Sequence, residues 1–367
     1  MNQSINKEDG MEKYKRRLVC MISKLKTLYR YMFSYKNCTN KKRLNFLLFK
    51  IQQKLKNSHV ISYPIELCID PGNICNLRCP LCPTGKGDKD RKKGFMTLNT
   101  FKKIIDEIGD YLYDIILYNW GEPLLNQQIF EMIKYAKEKN IKVEISSNFN
   151  HFNDRMCYKM IKSGLDTLLV SLVGASQESV SKYQIGSNFA LVINNMKKLV
   201  GMKKELNSKL PYIQWRFLVN KYNESEIKKA KIIAEEIGVD RLEIGIFRCN
   251  MEKELFMDNE AQFNDVKDWL PKNEILSMYD YTKKEKKNKH RYCGWLWENS
   301  VINWDGSVSP CCAVWQEKYD FGNIHDMPFF EIWNNKKYQD ARKIIRGDKI
   351  VRPDNICYIC KLNNAQI

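Results

Sequence analysis

Cys75, Cys79 and Cys82 lie in the run Asn73-Ile74-Cys75-Asn76-Leu77-Arg78-Cys79-Pro80-Leu81-Cys82, and this CxxxCxxC spacing constrains the chain more than any other feature. Four thiolates saturate a [4Fe–4S] cube, whereas three hold it and leave one iron open to a small molecule. Spacings of three and then two residues bring the sulfurs around one cube within a single loop. A zinc site more often shows two paired CxxC or CxxC/HxxxH units, and no such partner pair lies nearby. Three unrelated core cysteines are the plain alternative, since free cysteine is among the most buried residue types.

Around this loop, short apolar runs alternate with longer amphipathic ones, the βα pattern of a parallel sheet. The pattern predicts strands near 65–69, 114–118, 142–146, 167–172, 212–219 and 241–247. Helices are expected near 98–109, 127–139, 152–163, 188–205 and 224–237. The last of these places Ile227, Ile232, Ile233 and Ala234 on one side and stops at Gly238, a common helix terminator. Six such units predict an α/β chain with a partial (β/α)6 barrel, whose chemistry sits on loops at the strand C-termini. The cysteines follow the first strand, Glu122 the second, Asn148 the third and Ser171 the fourth, so all four converge on one mouth.

From Ile65 to Arg248 the chain resembles the core of a radical S-adenosylmethionine (SAM) enzyme. Trp120-Gly121-Glu122-Pro123 is similar to the family's GGEP segment, with Trp in place of the first Gly. Ser146-Ser147-Asn148 stands at the Thr-Asn end of the third strand. Ser171-Leu172-Val173-Gly174-Ala175 resembles the S-x-D-G-A turn, with Val173 in place of Asp. The resemblance implies that the Cys75/Cys79/Cys82 cluster binds SAM and cleaves it reductively to a 5′-deoxyadenosyl radical. It implies that Glu122, in the Gly121–Pro123 turn, holds the methionine amine and that Asn148 and Ser171 line the nucleoside. Leu81, where an aromatic is more usual, implies an aliphatic contact to adenine. Arg216 and Arg248, near strand ends, are candidates for the SAM carboxylate or an anionic substrate, or for ion pairs at the barrel rim. Cys249 is a candidate hydrogen-atom donor, with an ordinary structural thiol as the alternative.

Cys293, Cys311, Cys357 and Cys360 form C-x17-C-x45-C-x2-C. Asp305-Gly306 marks a hairpin tip whose second strand returns Cys311 beside Cys293. Four thiolates so placed suit either zinc or a [4Fe–4S] cluster. The C-x12-G-x4-C run through Gly306, Phe321-Gly322-Asn323-Ile324 and Glu331-Ile332-Trp333-Asn334 resemble the SPASM/twitch auxiliary-cluster domain. The three later cysteines of the full form do not appear, so this region resembles the single-cluster form of the domain, as in 2-deoxy-scyllo-inosamine dehydrogenase. The resemblance therefore implies two [4Fe–4S] clusters, with Cys312 an alternative ligand to Cys311. Cys20, Cys38, Cys68 and Cys157 show no partner spacing, and none of the four histidines is paired at ligand spacing.

The 367 residues divide into a basic helical extension (1–60), the barrel (61–250), a linker (251–292) and the auxiliary domain (293–367). No run of eighteen apolar residues appears, and Leu18 to Ile22 is too short for a signal-peptide core. Thirteen cysteines, mostly in cluster spacings, point to a reducing cytoplasm. The net charge of +18 is concentrated at the start, where residues 1–60 carry fifteen Lys/Arg against three Asp/Glu. Leu18, Met21, Ile22, Leu25 and Leu28, then Leu44, Leu47, Leu48, Ile51 and Leu55, follow helical spacing. Such helices suit a barrel cap, peripheral contact with the inner face of an anionic membrane, or a phosphate backbone. Nucleic acid is disfavoured because no reader motif accompanies the charge. The run from Lys283 to Arg291 reads as a solvated linker.

The expected function is hydrogen abstraction followed by net oxidation of a carbohydrate-like or lipid-linked glycan substrate. A flavodoxin- or ferredoxin-like reductant and the auxiliary cluster would assist. Peptide maturation by crosslinking or side-chain oxidation is the principal alternative. Sugar epimerisation through Cys249 is another, and a non-enzymatic electron carrier is the reading outside enzymology. The intact Gly121-Glu122-Pro123 disfavours the carrier, which has no use for an amino-acid-binding turn.

Overall fold

The computed structural model describes residues 29, 31, 33, 38–247, 255–287 and 293–360. Cys20, Arg248 and Cys249 lie outside the described residues. Six strands, β1 (Glu66–Ile69), β2 (Asp114–Ile116), β3 (Lys142–Ser147), β4 (Thr167–Ser171), β5 (Tyr212–Val219) and β6 (Arg241–Ile246), pair in parallel and in chain order. Helix α1 (Asn40–Leu55) precedes them. Helices α2 (Pro83–Lys86), α3 (Leu98–Ile108), α4 (Ile129–Glu138), α5 (Asp154–Ser163), α6 (Gln177–Tyr183), α7 (Phe189–Glu205) and α8 (Ile227–Ile237) connect successive strands. This is the α/β partial barrel expected from the alternation of runs.

Local chemistry explains the elements. Helix α3 buries Phe101, Ile104, Ile105 and Ile108, one stripe at helical spacing, and Thr97 caps it by accepting from Thr100 N–H. Along β3, Val143, Ile145 and Ser147 are buried while Lys142, Glu144 and Ser146 are half-buried on the opposite, inner face. Helix α1 buries Lys42, Asn45, Phe46, Phe49 and Gln52. Lys42 Nζ donates to Asn140 O at 2.9 Å just past the end of α4, and burial pushes its pKa down to about 8. Asn45 brackets the Tyr63 backbone ahead of β1, and Phe46 packs near Tyr113 ahead of β2. Helix α1 therefore covers the N-terminal end of the strands, away from the cysteine mouth.

Residues 255–287, expected as part of a linker, are folded. A helix (Asn259–Val266) and an antiparallel pair, β7 (Tyr279–Asp280) and β8 (Glu285–Lys286), bury Val266, Leu270 and Tyr279 together with Leu81 and Phe247. Lys286, in the run expected to be solvated, is buried in β8. Strands β9 (Val301–Ile302), β10 (Ser307–Ser309) and β11 (Gly322–Asn323) then extend the main sheet past its first edge. β9 runs parallel to β1, with Cys68 opposite Val301 and Ile69 opposite Ile302. The β9–β10 turn is the Asp-Gly hairpin expected from sequence, and Gly306 adopts the left-handed φ of +81° it requires. The buried Arg342 binds this region to the start of the barrel by donating to Leu296 O, Trp333 O and Ser58 O.

Candidate functional site

The loop carrying Cys75, Cys79 and Cys82 leaves the C-terminal end of β1 and is pinned from several sides. Glu122 N–H donates to Ile74 O at 2.9 Å and Arg78 N–H to Ile185 O at 3.0 Å. The Asn73 amide donates to Lys92 O and accepts from Gly94 N–H. Gly121 is required for this approach, because a Cβ there would lie 1.8 Å from Gly72 O. Leu77 N–H donates to Cys75 Sγ at 3.4 Å. All three thiols are half-buried. Burial pushes the Cys75 thiol up to about 11 against the opposing Leu77 amide, with Glu122 and Cys82 adding to the rise. Burial, Cys82 and Cys75 likewise raise Cys79. Burial and neighbouring thiols disfavour ionisation of Cys75 and Cys79, which suits a cationic guest, and iron in a cluster is the guest that three thiolates at this spacing accept.

Glu122 is buried and follows Gly121 in the turn after β2. Its Oε1 accepts from Leu124 N–H at 3.1 Å and its Oε2 from Asn148 N–H at 2.7 Å. Burial nevertheless raises its pKa to about 7. The Asn148 and Leu124 amides and the Ser147 side chain oppose that rise, and an arriving ammonium would restore the charge. Pro123 opens the short turn Pro123–Leu125 that presents the Leu124 amide.

The other expected residues gather at the same mouth with different attachments. Asn148 Nδ2 donates to Asn76 Oδ1 at 2.9 Å and lies 3.7 Å from Cys75 Sγ, tying β3 to the cysteine loop. Ser171 ends β4 opposite Arg216, and its carbonyl accepts from Gln184 Nε2. Gln184 Oε1 also accepts from Val173 N–H, so this side chain clamps the turn that lacks the family's Asp. Arg216 Nε pairs with Glu243 Oε2 at 2.8 Å, the rim ion pair left open by the sequence. Leu81 is buried with Phe247, Val266, Leu270 and Tyr279.

A polar set occupies the inner face below the mouth. Tyr118 Oη donates to Glu144 Oε1 at 3.0 Å, and Gln214 Nε2 donates to Glu243 Oε2 at 2.5 Å. Burial raises the Glu144 pKa, opposed by Tyr118 and Arg216. Glu144 also lines a cavity at the N-terminal ends of the strands with Glu66, Asp114, Lys142 and Asp166.

Cys293, Cys311, Cys357 and Cys360 are half-buried and lie near one another beyond the β9–β10 hairpin. Burial pushes Cys293 up to about 11, with Cys311 adding. Burial, then Cys360, Cys293 and Cys311, raise Cys357 well above the usual thiol range. Ala313 N–H donates to Cys311 Sγ at 3.4 Å, the same i to i+2 contact as at Cys75. Among the described residues, no three His, Cys, Asp or Glu side chains are drawn tightly enough to hold one metal ion. Two features had no sequence signal. Asp70 is fully buried with no well-formed partner for its carboxylate, near the Gly72 and Trp120 amides. Trp120 packs against Trp315, a contact between residues 195 positions apart.

Comparison with known proteins agrees with this geometry. Residues 69–207 match the radical SAM superfamily, and residues 293–361 match the SPASM iron–sulfur cluster-binding domain. The tungsten-containing aldehyde ferredoxin oxidoreductase cofactor-modifying protein of Pyrococcus furiosus is 25% identical over 313 residues, covering 79% of this chain and 85% of that protein. The AdoMet-dependent heme synthase of Methanosarcina barkeri is 24% identical over 324 residues, covering 78% and 88%. Among solved structures, Streptococcus suis SuiB bound to its precursor peptide SuiA has a TM-score of 0.58 at 15% identity, covering 95% of this chain and 82% of that one. The chain belongs to the radical SAM superfamily and carries a C-terminal SPASM domain.

Proposed function

We propose that this radical SAM enzyme performs a net oxidation of a hydroxyl-rich, carbohydrate-like or lipid-linked glycan substrate. The observation that carries this reading is the polar inner face formed by Tyr118, Glu144, Gln214, Arg216 and Glu243. Side chains from β3, β5 and β6 meet there with Tyr118, offering both donors and acceptors to hydroxyl groups, which need both. When bound, SAM and a reduced cluster supply a radical able to take hydrogen from carbon.

In this reading Cys75, Cys79 and Cys82 would hold the SAM-binding cluster, and Cys293, Cys311, Cys357 and Cys360 an auxiliary cluster. Glu122 would hold the methionine ammonium in the turn shaped by Gly121 and Pro123. Asn148 orients the cysteine loop beside the nucleoside, and Ser171 and Arg216 line its far wall. The chain's own work is binding, orientation and exclusion of water. A flavodoxin- or ferredoxin-like protein suits the low-potential one-electron step. The basic N-terminal region would contact an anionic membrane, a reading supported by the outward apolar stripe Leu44, Leu47, Ile51 and Leu55 of α1.

The test uses anaerobically reconstituted enzyme with SAM, reductant and polyols or aminocyclitols deuterated at carbinol carbons. Deuterium in 5′-deoxyadenosine together with a carbonyl in the product is expected. Deuterium transfer with solvent hydrogen returned to the same carbon would replace oxidation by epimerisation. Transfer from peptides alone would overturn the carbohydrate reading.

A further inference from the structure

Trp120 stands where the turn it resembles has glycine, and none of the roles above uses its ring. The side chain is 7% exposed and meets the fully buried Trp315 edge to face, with ring centroids 5.6 Å apart at 79°. Its indole N–H donates to Val314 O at 3.3 Å. Val314 N–H donates in turn to Cys311 O at 3.1 Å. Oriented so that both its ends are satisfied, the Asn119 amide donates to Cys312 O at 3.2 Å and accepts from Trp120 Nε1 at 2.9 Å. Two residues along the same turn, Glu122 N–H donates to Ile74 O, the carbonyl next to Cys75.

These contacts form two routes that share the backbone turn, one through the indole to Val314 and one through the Asn119 amide, whose orientation the indole N–H fixes. From Cys75 both pass through the Ile74 carbonyl to Glu122 N–H, then along the backbone through Gly121 to Trp120. The indole N–H hands the first to Val314, whose own N–H reaches the Cys311 carbonyl. The surroundings hold them still. Trp315 Nε1 donates to Asp88 Oδ1 at 3.0 Å, and the buried Arg91 donates from Nε to Trp315 O at 2.6 Å. Electronic coupling falls less steeply through covalent and hydrogen bonds than across a gap. A glycine at position 120 would have no side chain to reach Val314.

We propose that Trp120 is a positioning residue that couples the two cysteine sites electronically. One electron leaves the cluster at one site, which is oxidised by one unit. It enters the cluster at the other, which is reduced by one, and no proton moves. The proposal rests on the two-cluster reading of the cysteines.

The test compares wild type, Trp120→Phe and Trp120→Leu as anaerobically reconstituted holoenzymes. Iron and sulfide analysis with EPR comes first, and a single cluster in wild type would overturn the two-cluster reading itself. With both clusters present, each protein is mixed with one electron equivalent of dithionite. Redistribution of the electron between the two EPR signals is then followed by freeze-quenching. A fast phase is expected in wild type, a slower one in Trp120→Phe, which keeps a ring but loses the N–H, and its loss in Trp120→Leu. Equal redistribution in all three overturns the proposal. Should Trp120→Leu lose a cluster, Trp120→Phe decides: a slower phase supports the route and an unchanged one overturns it.

Discussion

Glu66, the first residue of β1, shows how a single side chain reports its surroundings away from the cysteine mouth. Its carboxylate accepts from the Asn299 amide, while Asp114, Glu298 and Glu144 lie close enough to act on it. Burial, then those three carboxylates, push its pKa from 4.5 to about 7, with only Asn299 opposing. The folded state therefore binds this proton more tightly than the unfolded state. Below pH 4.5 both states hold the proton. As pH rises from 4.5 to about 7, stability is lost, and above 7 the loss is complete. Glu66→Gln keeps an oxygen for Asn299 and removes the charge. It should raise the thermal midpoint at pH 8 and leave it nearly unchanged at pH 4.5. A midpoint difference that is the same at both values would remove Glu66 from the acid–base balance of the fold.

The turn after β2 is the element on which the site depends most. A Cβ on Gly121 would meet the Gly72 carbonyl, which is backbone and has no rotamer with which to yield. Gly121→Ala should therefore cost about 1–3 kcal/mol, the usual penalty of overpacking, and separate Glu122 from the cysteine loop. Chemical denaturation with equilibrium SAM binding checks both effects; a variant matching wild type in both would show that the loop accommodates the methyl group. Sequence made most such elements legible. The six strands and the long helices lie within a few residues of their expected positions, because their apolar periods are long and end in caps such as Thr97 and Gly238. Helix α6 was missed because Gln177–Tyr183 is short and mostly polar, and it is started by the Ser176 cap rather than an apolar stripe. The β9–β10 hairpin announced itself through Asp305-Gly306, but its docking on β1 did not. That parallel pairing joins Cys68 to Val301 without any local signal. The folded cover over Leu81 was hidden by the Lys-rich run, whose charges mask the buried Tyr279 and Lys286. Within the site, motif spacing gave the residues. It gave neither the Gln184 clamp nor the Trp120–Trp315 contact, because both depend on packing between distant segments.

At the scale of the whole molecule, the two faces of α1 have different partners. The inner face fixes the helix to the barrel end opposite the cysteine mouth through Phe46, Phe49 and Lys42. The outer face presents Leu44, Leu47, Ile51 and Leu55 at 42–63% exposure, with Lys54 alongside and no Asp or Glu in the helix. Among the described residues no helix is long and apolar enough to cross a membrane. The proposed membrane contact rests on the general preference of a cationic helix with an outward apolar stripe for the plane of an anionic bilayer surface. Each Lys or Arg near such a surface contributes about 1 kcal/mol, and salt screens that share. Vesicles of phosphatidylcholine with phosphatidylglycerol should therefore carry the full chain upward in a flotation gradient, and pure phosphatidylcholine vesicles should carry less. Raising the salt should release it. Leu47→Glu with Ile51→Glu should abolish flotation while leaving the thermal midpoint unchanged, because both side chains point away from the core. Flotation that survives the double substitution would exclude the stripe as the contact. A fall in thermal midpoint would show that another part of the chain covers it, and a dimer dissociated by the substitutions would assign it to a second copy. Docking through α1 would leave the cysteine mouth at the far end of the barrel. A soluble carbohydrate would then have the shorter route to the site, and a lipid-linked glycan would need a head group long enough to span the molecule.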